Sequence, residues 1–117
     1  MPIIDHADVR WASPMERVRE RYLVSKAQGT ASLTIKEVEI RPGWENRLHT
    51  HPVDVSMQVM SGAIQALVGD EVRTVRAGTT LVIPPGVPHQ LVNHLWTPAV
   101  LLVTYPSAEL ETEHLDS

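Results

Sequence analysis

The sequence contains no cysteine among its 117 residues. Disulfide cross-links and thiolate metal sites are therefore excluded, and any bound metal must be held by nitrogen and oxygen ligands. No apolar run approaches the ~20 residues needed to cross a bilayer. The N-terminal stretch is broken by charged residues and lacks the apolar centre of a signal peptide. We expect a protein that resides in the cytoplasm and does not enter a membrane.

The sequence also has no cluster of lysine and arginine, and its formal net charge is -4. Nucleic-acid binding requires a concentrated basic face, so DNA and RNA are excluded as leading partners and a small molecule is expected instead. Hydrophobic residues make up 43% of the chain and charged residues 21%. These fractions are typical of a folded protein, and the length allows one domain of ordinary size.

Short runs of β-forming residues, separated by glycine, proline and asparagine, fill most of the chain. This pattern is typical of an all-β sandwich or barrel with little helix. The clearest hairpin signal is Gly69-Asp70, which stands between two such runs. We predict strands over residues 17–25, 31–40, 48–51, 55–60, 63–68, 71–75, 80–83, 89–93 and 99–105.

The second predicted strand changes face along its length. Leu33 and Ile35 share one face of an extended chain, whereas Val38 lies on the other. Such a change of parity predicts a β-bulge near Lys36-Glu37.

The strand pattern divides the chain into three parts. Residues 1–16 carry two prolines and little periodicity, which predicts an irregular N-terminal arm that packs on a neighbouring subunit. Residues 17–106 form the single domain. Residues 107–117 form an acidic C-terminal tail that we expect to be frayed.

Two histidine-containing segments carry the strongest signal. The first reads G-W-E-N-R-L-H-T-H from Gly43 and closes at Gly62; the second reads G-T-T-L-V-I-P-P-G-V-P-H-Q-L-V-N from Gly78 to Asn93. In order and spacing the two segments resemble the first and second motifs of the cupin superfamily, over residues 40–93. The resemblance implies a cupin-type antiparallel double-stranded β-helix, which is a jelly-roll barrel.

The resemblance also implies a divalent metal ion held by His49, His51 and His89, with Fe(II), Mn(II), Ni(II) or Zn(II) as the expected ion. Strand geometry agrees with this ligand set, because His49 and His51 are two residues apart and leave the same face of a strand. The rigid P-P-G-V-P loop before His89 is expected to set the angle at which that ring enters the barrel.

One position departs from the family pattern. The place of the metal-binding glutamate in the first motif is taken by Val55, which cannot bind a metal. Three neutral imidazoles leave the charge of the ion near +2 and leave coordination positions open for a substrate. Asp54 and Gln58 are nearby, but strand alternation points both away from the metal, and only a one-residue bulge would present either as a fourth ligand.

The substrate pocket is predicted to be lined by residues on the inward face of their strands and by one loop tryptophan at its mouth: Arg47, Val55, Met57, Val59, Leu91 and Trp96. Arg47 would hold a substrate carboxylate or form a salt bridge at the rim. Trp96 would cap the pocket or be buried at a subunit contact.

The function implied by the resemblance is that of a metal-dependent enzyme acting on a small oxygen-bearing metabolite. Its chemistry would be that of a dioxygenase or of a Lewis-acid lyase or isomerase; the alternative is a non-catalytic cupin module that binds a small ligand or a metal. Parity places no carboxylate on the inward face, so the sequence identifies no general base. The apolar final strand indicates a homodimer, which is also common among the proteins that the sequence resembles.

Overall fold

The computed structural model describes residues 2–109 and 113–115 of the chain. Within these residues there are two short 3-10 helices, His6–Asp8 and Lys26–Gln28. The remaining elements are twelve strands, in chain order β1 (Ala12–Met15), β2 (Val18–Val24), β3 (Thr34–Ile40), β4 (Trp44–Glu45), β5 (His49–Thr50), β6 (Val55–Ser61), β7 (Ala63–Val68), β8 (Glu71–Arg76), β9 (Thr80–Ile83), β10 (His89–Asn93), β11 (Ala99–Tyr105) and β12 (Glu113–His114). In the described part of the chain no helix is long and apolar enough to span a bilayer.

The strands form two antiparallel sheets. One sheet has the order β1-β2-β3-β11-β6-β9, and the other has the order β12-β5-β10-β7-β8, with β4 paired to β10. The all-β jelly-roll prediction is confirmed, and a strand is present at each of the nine places where the sequence predicts one.

Inward-facing side chains of both sheets form the core. Strand β11 shows the pattern most clearly, because every second residue from Ala99 to Tyr105 is buried. Ile40, Ile64 and Leu101 are at most 1% exposed. Each such side chain contributes about 1.5–3 kcal/mol to folding through removal of apolar surface from water.

One segment near each end of the chain forms a strand that the sequence does not predict. Residues 12–15, expected in an irregular arm, form β1 and pair with β2. The ring of Trp11 lies against the guanidinium groups of Arg19 and Arg21, at 4.2 and 4.6 Å, which holds the arm against its own chain. In the predicted tail, β12 pairs with β5.

The predicted bulge at Lys36-Glu37 is wrong in its position. Strand β3 pairs with β11 in continuous register, whereas the register of β2 against β3 shifts between Tyr22 and Val24. Ile35 is half-buried on the outer face of a regular strand, so its parity requires no bulge in β3.

Gly62 provides a stability test of the turn that leads into β7. Its φ of 73° lies in the left-handed region, and an added Cβ would overlap the carbonyl oxygen of Pro98. We expect Gly62→Ala to lower the free energy of unfolding by about 2–4 kcal/mol, as measured in urea. Gly78→Ala is the matched control, because Gly78 has a φ of 91° with open space around its Cα. Equal losses in the two variants would contradict the overlap at Gly62.

Candidate metal centre

Strands β5 and β10 bring the three predicted histidines together. His49 of β5 pairs in register with His89 of β10, so the two side chains are cross-strand neighbours. His51 follows β5, and its carbonyl oxygen accepts a hydrogen bond of 2.9 Å from the backbone N–H of Gly86. This bond attaches the P-P-G-V-P loop to the first histidine segment.

The three imidazole rings form one buried cluster. Their centroids are 4.1 Å apart for His49 and His89, 4.8 Å for His49 and His51, and 5.0 Å for His51 and His89. One ligand nitrogen from each ring lies within 4.8 Å of the others. The exposed fraction is 7% for His49, 7% for His51 and 1% for His89.

Backbone carbonyls select the tautomer of two of these rings. His49 Nδ1 lies 2.6 Å from the carbonyl oxygen of Arg47, and His89 Nδ1 lies 3.1 Å from that of Val87. A carbonyl only accepts, so each Nδ1 carries the proton and donates it. The lone pair of each ring is then on Nε2, which is the arrangement of a metal-binding histidine.

His89 supplies the observation that tests whether a metal fits. In the described residues, its Nε2 is buried and has no hydrogen-bond partner. The pKa of His89 is lowered from 6.5 to about 4, chiefly by burial; the hydrogen bond to Val87 acts in the opposite direction, and the nearby His49 and His51 contribute smaller decreases. At neutral pH the ring therefore presents an uncharged, unsatisfied nitrogen to its neighbours. Such a donor set fits a divalent transition-metal ion.

Asn93, the last residue of the second motif, has a structural role. It is 0% exposed. Its Nδ2 donates to the carbonyl oxygens of Ile40 and Thr97, at 2.9 and 3.1 Å, and its Oδ1 accepts from the N–H of Leu95 at 3.1 Å. These bonds fix the end of β10 against β3, and they keep the strand that carries His89 in place.

A cavity of about 310 Å³ opens beside the histidine cluster. His49 and His51 form part of its wall, and the apolar walls come from both sheets and the N-terminal arm: Pro14, Met15, Val18, Val38, Ile40, Trp44, Val55, Met57, Leu91, Leu101 and Val103. This volume lies near the lower limit of small-molecule pockets.

The structure brings only part of the predicted pocket to this cavity. Val55, Met57 and Leu91 line it as expected. Val59 is buried, at 2% exposed, but packs into the core away from the cavity wall. Arg47 is exposed and lies between β4 and β5, where no strand parity applies.

Trp96 and the two possible fourth ligands lie outside the cavity. Trp96 is 97% exposed in the loop between β10 and β11, so it does not cap the pocket. Asp54 and Gln58 are exposed, and Gln58 lies on the outward face of β6, as strand alternation predicts.

Four polar residues of the cavity wall were missed by the sequence analysis: Glu20, Lys36, Asn46 and His114. Glu20 is two residues after Val18 and Lys36 is two before Val38, so inward parity was the signal that could have found them. The expectation of no inward carboxylate is therefore wrong at Glu20. His114 is exposed, and its ring lies 6.0 Å from that of His49 because β12 pairs with β5.

Comparisons with known proteins agree with this fold. A family model described as a cupin domain matches residues 36–105. The structure is similar to the polyketide cyclase RemF from Streptomyces resistomycificus, with 21% identity and a TM-score of 0.88 over 100% of this chain and 87% of that one. It is also similar to a sugar phosphate isomerase of the cupin superfamily from Silicibacter pomeroyi, with 21% identity and a TM-score of 0.80 over 99% and 83% of the two chains.

A third similar structure, the salicylate 1,2-dioxygenase from Pseudoaminobacter salicylatoxidans, shares 18% identity and a TM-score of 0.76 over 91% of this chain and 33% of that one. At these identities the likeness concerns the fold alone. No curated relative matches the chain by sequence.

Proposed function

The chain belongs to the cupin family, and on this premise we propose that it is a metal-dependent enzyme acting on a small oxygen-bearing metabolite, by dioxygenase or by Lewis-acid lyase or isomerase chemistry. The observation that carries the proposal is the buried Nε2 of His89, which has no partner in the described residues and faces two further imidazoles beside a cavity. The named activities of the similar structures, a cyclase, an isomerase and a dioxygenase, support an enzyme of this broad class.

The chain's own residues would hold the ion and shape its surroundings. His49, His51 and His89 would bind it through Nε2, with the carbonyl oxygens of Arg47 and Val87 holding two of the rings in the required tautomer. A bound divalent ion supplies Lewis-acid polarisation of substrate oxygens. Val55, in place of a carboxylate, leaves room for substrate oxygens beside the three imidazoles.

The apolar wall of the cavity has two effects on a bound substrate. It excludes water, which strengthens the electrostatic interactions inside. It also favours a substrate with an apolar body over a sugar-like one, because a polyhydroxylated molecule would lose hydrogen bonds to water without replacement.

A screen of metal-loaded protein tests the proposal. The protein is loaded in turn with Fe(II), Mn(II), Ni(II) and Zn(II), and its metal content is measured. Each form is then mixed with diketones, thiols and phenols while oxygen uptake and substrate absorbance are recorded. Oxygen uptake would assign a dioxygenase, and loss of substrate without oxygen would assign a lyase or isomerase. Tight binding without turnover would contradict the enzyme and favour the non-catalytic module.

The homodimer expected from the sequence stays a prediction. Met60 of β6 and Val82 of β9 lie on the outer face of the sheet that begins with β1, and they are 53% and 68% exposed, so a second copy of the chain would cover apolar surface there. We expect size-exclusion chromatography with light scattering to give twice the mass of one chain. A monomer at every concentration would contradict this prediction.

A further inference from the structure

One wall of the cavity carries an ion pair that the metal centre does not use. Glu20 of β2 and Lys36 of β3 line the cavity, and the Lys36 ammonium lies 3.1 Å from Glu20 Oε2. Their side chains are 18% and 21% exposed. Both charges are thus largely withdrawn from bulk water and face the same space as His49 and His51.

The strand register identifies the residues next to the ion pair in the sheet. Glu20 pairs with Val38, which pairs in turn with Leu101 on β11. Lys36 pairs with Val103, which pairs with Met57 on β6. The ion pair therefore lies in inward-facing rows that continue as apolar side chains on β11 and β6. A charge pair in such a place adds little net stability compared with apolar side chains of similar volume, because its desolvation offsets its attraction.

The other ion pairs of these two strands lie on the opposite face. Arg19 pairs with Glu39 and Arg21 with Glu37, at 3.0 and 2.9 Å, and Trp11 covers both arginines. Those pairs attach the N-terminal arm to the outer surface. The inward pair does not contact the arm. Its neighbours are the cavity, the ring of Tyr22, 5.9 Å from the Lys36 ammonium, and the phenol group of Tyr105, whose pKa responds to both charges.

The remaining bonding capacity of the pair defines the group it would bind. Within residues 2–109 and 113–115, the Lys36 ammonium has one acceptor, Glu20 Oε2, so two of its three N–H groups are available. A hydroxyl group can bind to both partners at once, because its oxygen accepts a hydrogen bond from the ammonium while its O–H donates one to the carboxylate. A carboxylate would be repelled by Glu20, and an ammonium by Lys36.

We propose that Glu20 and Lys36 form a binding site for a hydroxyl group, and that the substrate is a small molecule with oxygen atoms at both ends and an apolar body between them. This inference rests on the proposed function for the end that binds the metal. The apolar wall between the histidines and the ion pair would pack on that body, and the two polar ends would fix its orientation.

Two diketone probes test the inference by binding alone. Benzoylacetone offers an enolised oxygen pair and a phenyl ring, and para-hydroxybenzoylacetone adds the distal hydroxyl. Calorimetric titration of zinc-loaded protein is expected to show about 10-fold tighter binding of the hydroxylated probe, since a hydrogen bond to a charged group is involved. Lys36→Met is expected to weaken this preference, because Glu20 alone can still accept from the hydroxyl. Lys26→Met is the matched control, because Lys26 is a surface lysine that is paired with Glu109 and 71% exposed.

The outcomes separate this inference from the proposed function. Failure of the wild-type protein to bind zinc would overturn the proposed function. Zinc binding with equal affinity for the two probes, or with a preference that survives removal of both Lys36 and Glu20, would overturn the hydroxyl site alone.

A double variant excludes a structural explanation. Lys36→Met combined with Glu20→Leu removes both charges and leaves neither unpaired, so we expect its melting temperature to be equal to or above that of the wild type. The hydroxyl preference should be absent while zinc still binds. A marked fall in the melting temperature would assign the pair to the scaffold and overturn its role in binding.

Discussion

His89→Ala is expected to lower the affinity of the protein for Zn(II) by more than about 100-fold, since the loss of even an outer-sphere partner of a metal-binding histidine costs 10–100-fold. The effect should be large because His89 is the most buried of the three imidazoles, at 1% exposed, and its Nε2 has no partner within the described residues. Two histidines would remain, which do not complete the donor set.

The measurement is a zinc titration followed by thermal unfolding with and without the ion. In the wild type, zinc is expected to bind the native state and to raise the melting temperature. In His89→Ala that rise should be lost. His94→Ala is the matched control, because His94 is exposed just after β10 and lies outside the cluster. Wild-type zinc content in His89→Ala would contradict the assigned ligand set.

Val55→Glu is expected to bind the metal at least about 10-fold more tightly than the wild type, because a carboxylate would offset one of the two charges of the ion. Val55 is 2% exposed and lines the cavity with His49 and His51. It occupies the place where the first cupin motif has its glutamate. Without metal, the buried carboxylate should lower the free energy of unfolding by about 2–4 kcal/mol.

The signature of Val55→Glu is therefore a lower stability without metal and a larger gain on adding it. Val59→Glu is the control, because Val59 is equally buried on the same strand but does not line the cavity. It should lose stability without any gain in metal affinity. The same response to zinc in both variants would show that position 55 does not face the ion.

The regular strands and the histidine cluster could be predicted because both depend on local pattern. Alternation of apolar and polar residues defines the strands, and the His49-x-His51 spacing places two rings on one face. Two motifs in the correct order then supply the third ring. Strand alternation and the two motifs are thus sufficient to predict the strands and the three histidines.

Part of the remaining cavity wall depends on strand pairings that no local pattern encodes. His114 reaches the cavity only because β12 pairs with β5, and Met15 only because the arm pairs with β2. Trp96 was placed at the mouth by residue type, yet a loop tryptophan carries no parity and is exposed here. Glu20 and Lys36 were predictable in principle, since each is two residues from an inward valine.

Diffraction from zinc-loaded crystals, recorded on both sides of the zinc absorption edge, tests the metal centre most directly. We expect a single anomalous peak within bonding distance of Nε2 of His49, His51 and His89 and open toward the cavity. A cluster that stays free of zinc at saturating concentration, or zinc bound only at surface histidines such as His6, would contradict the account.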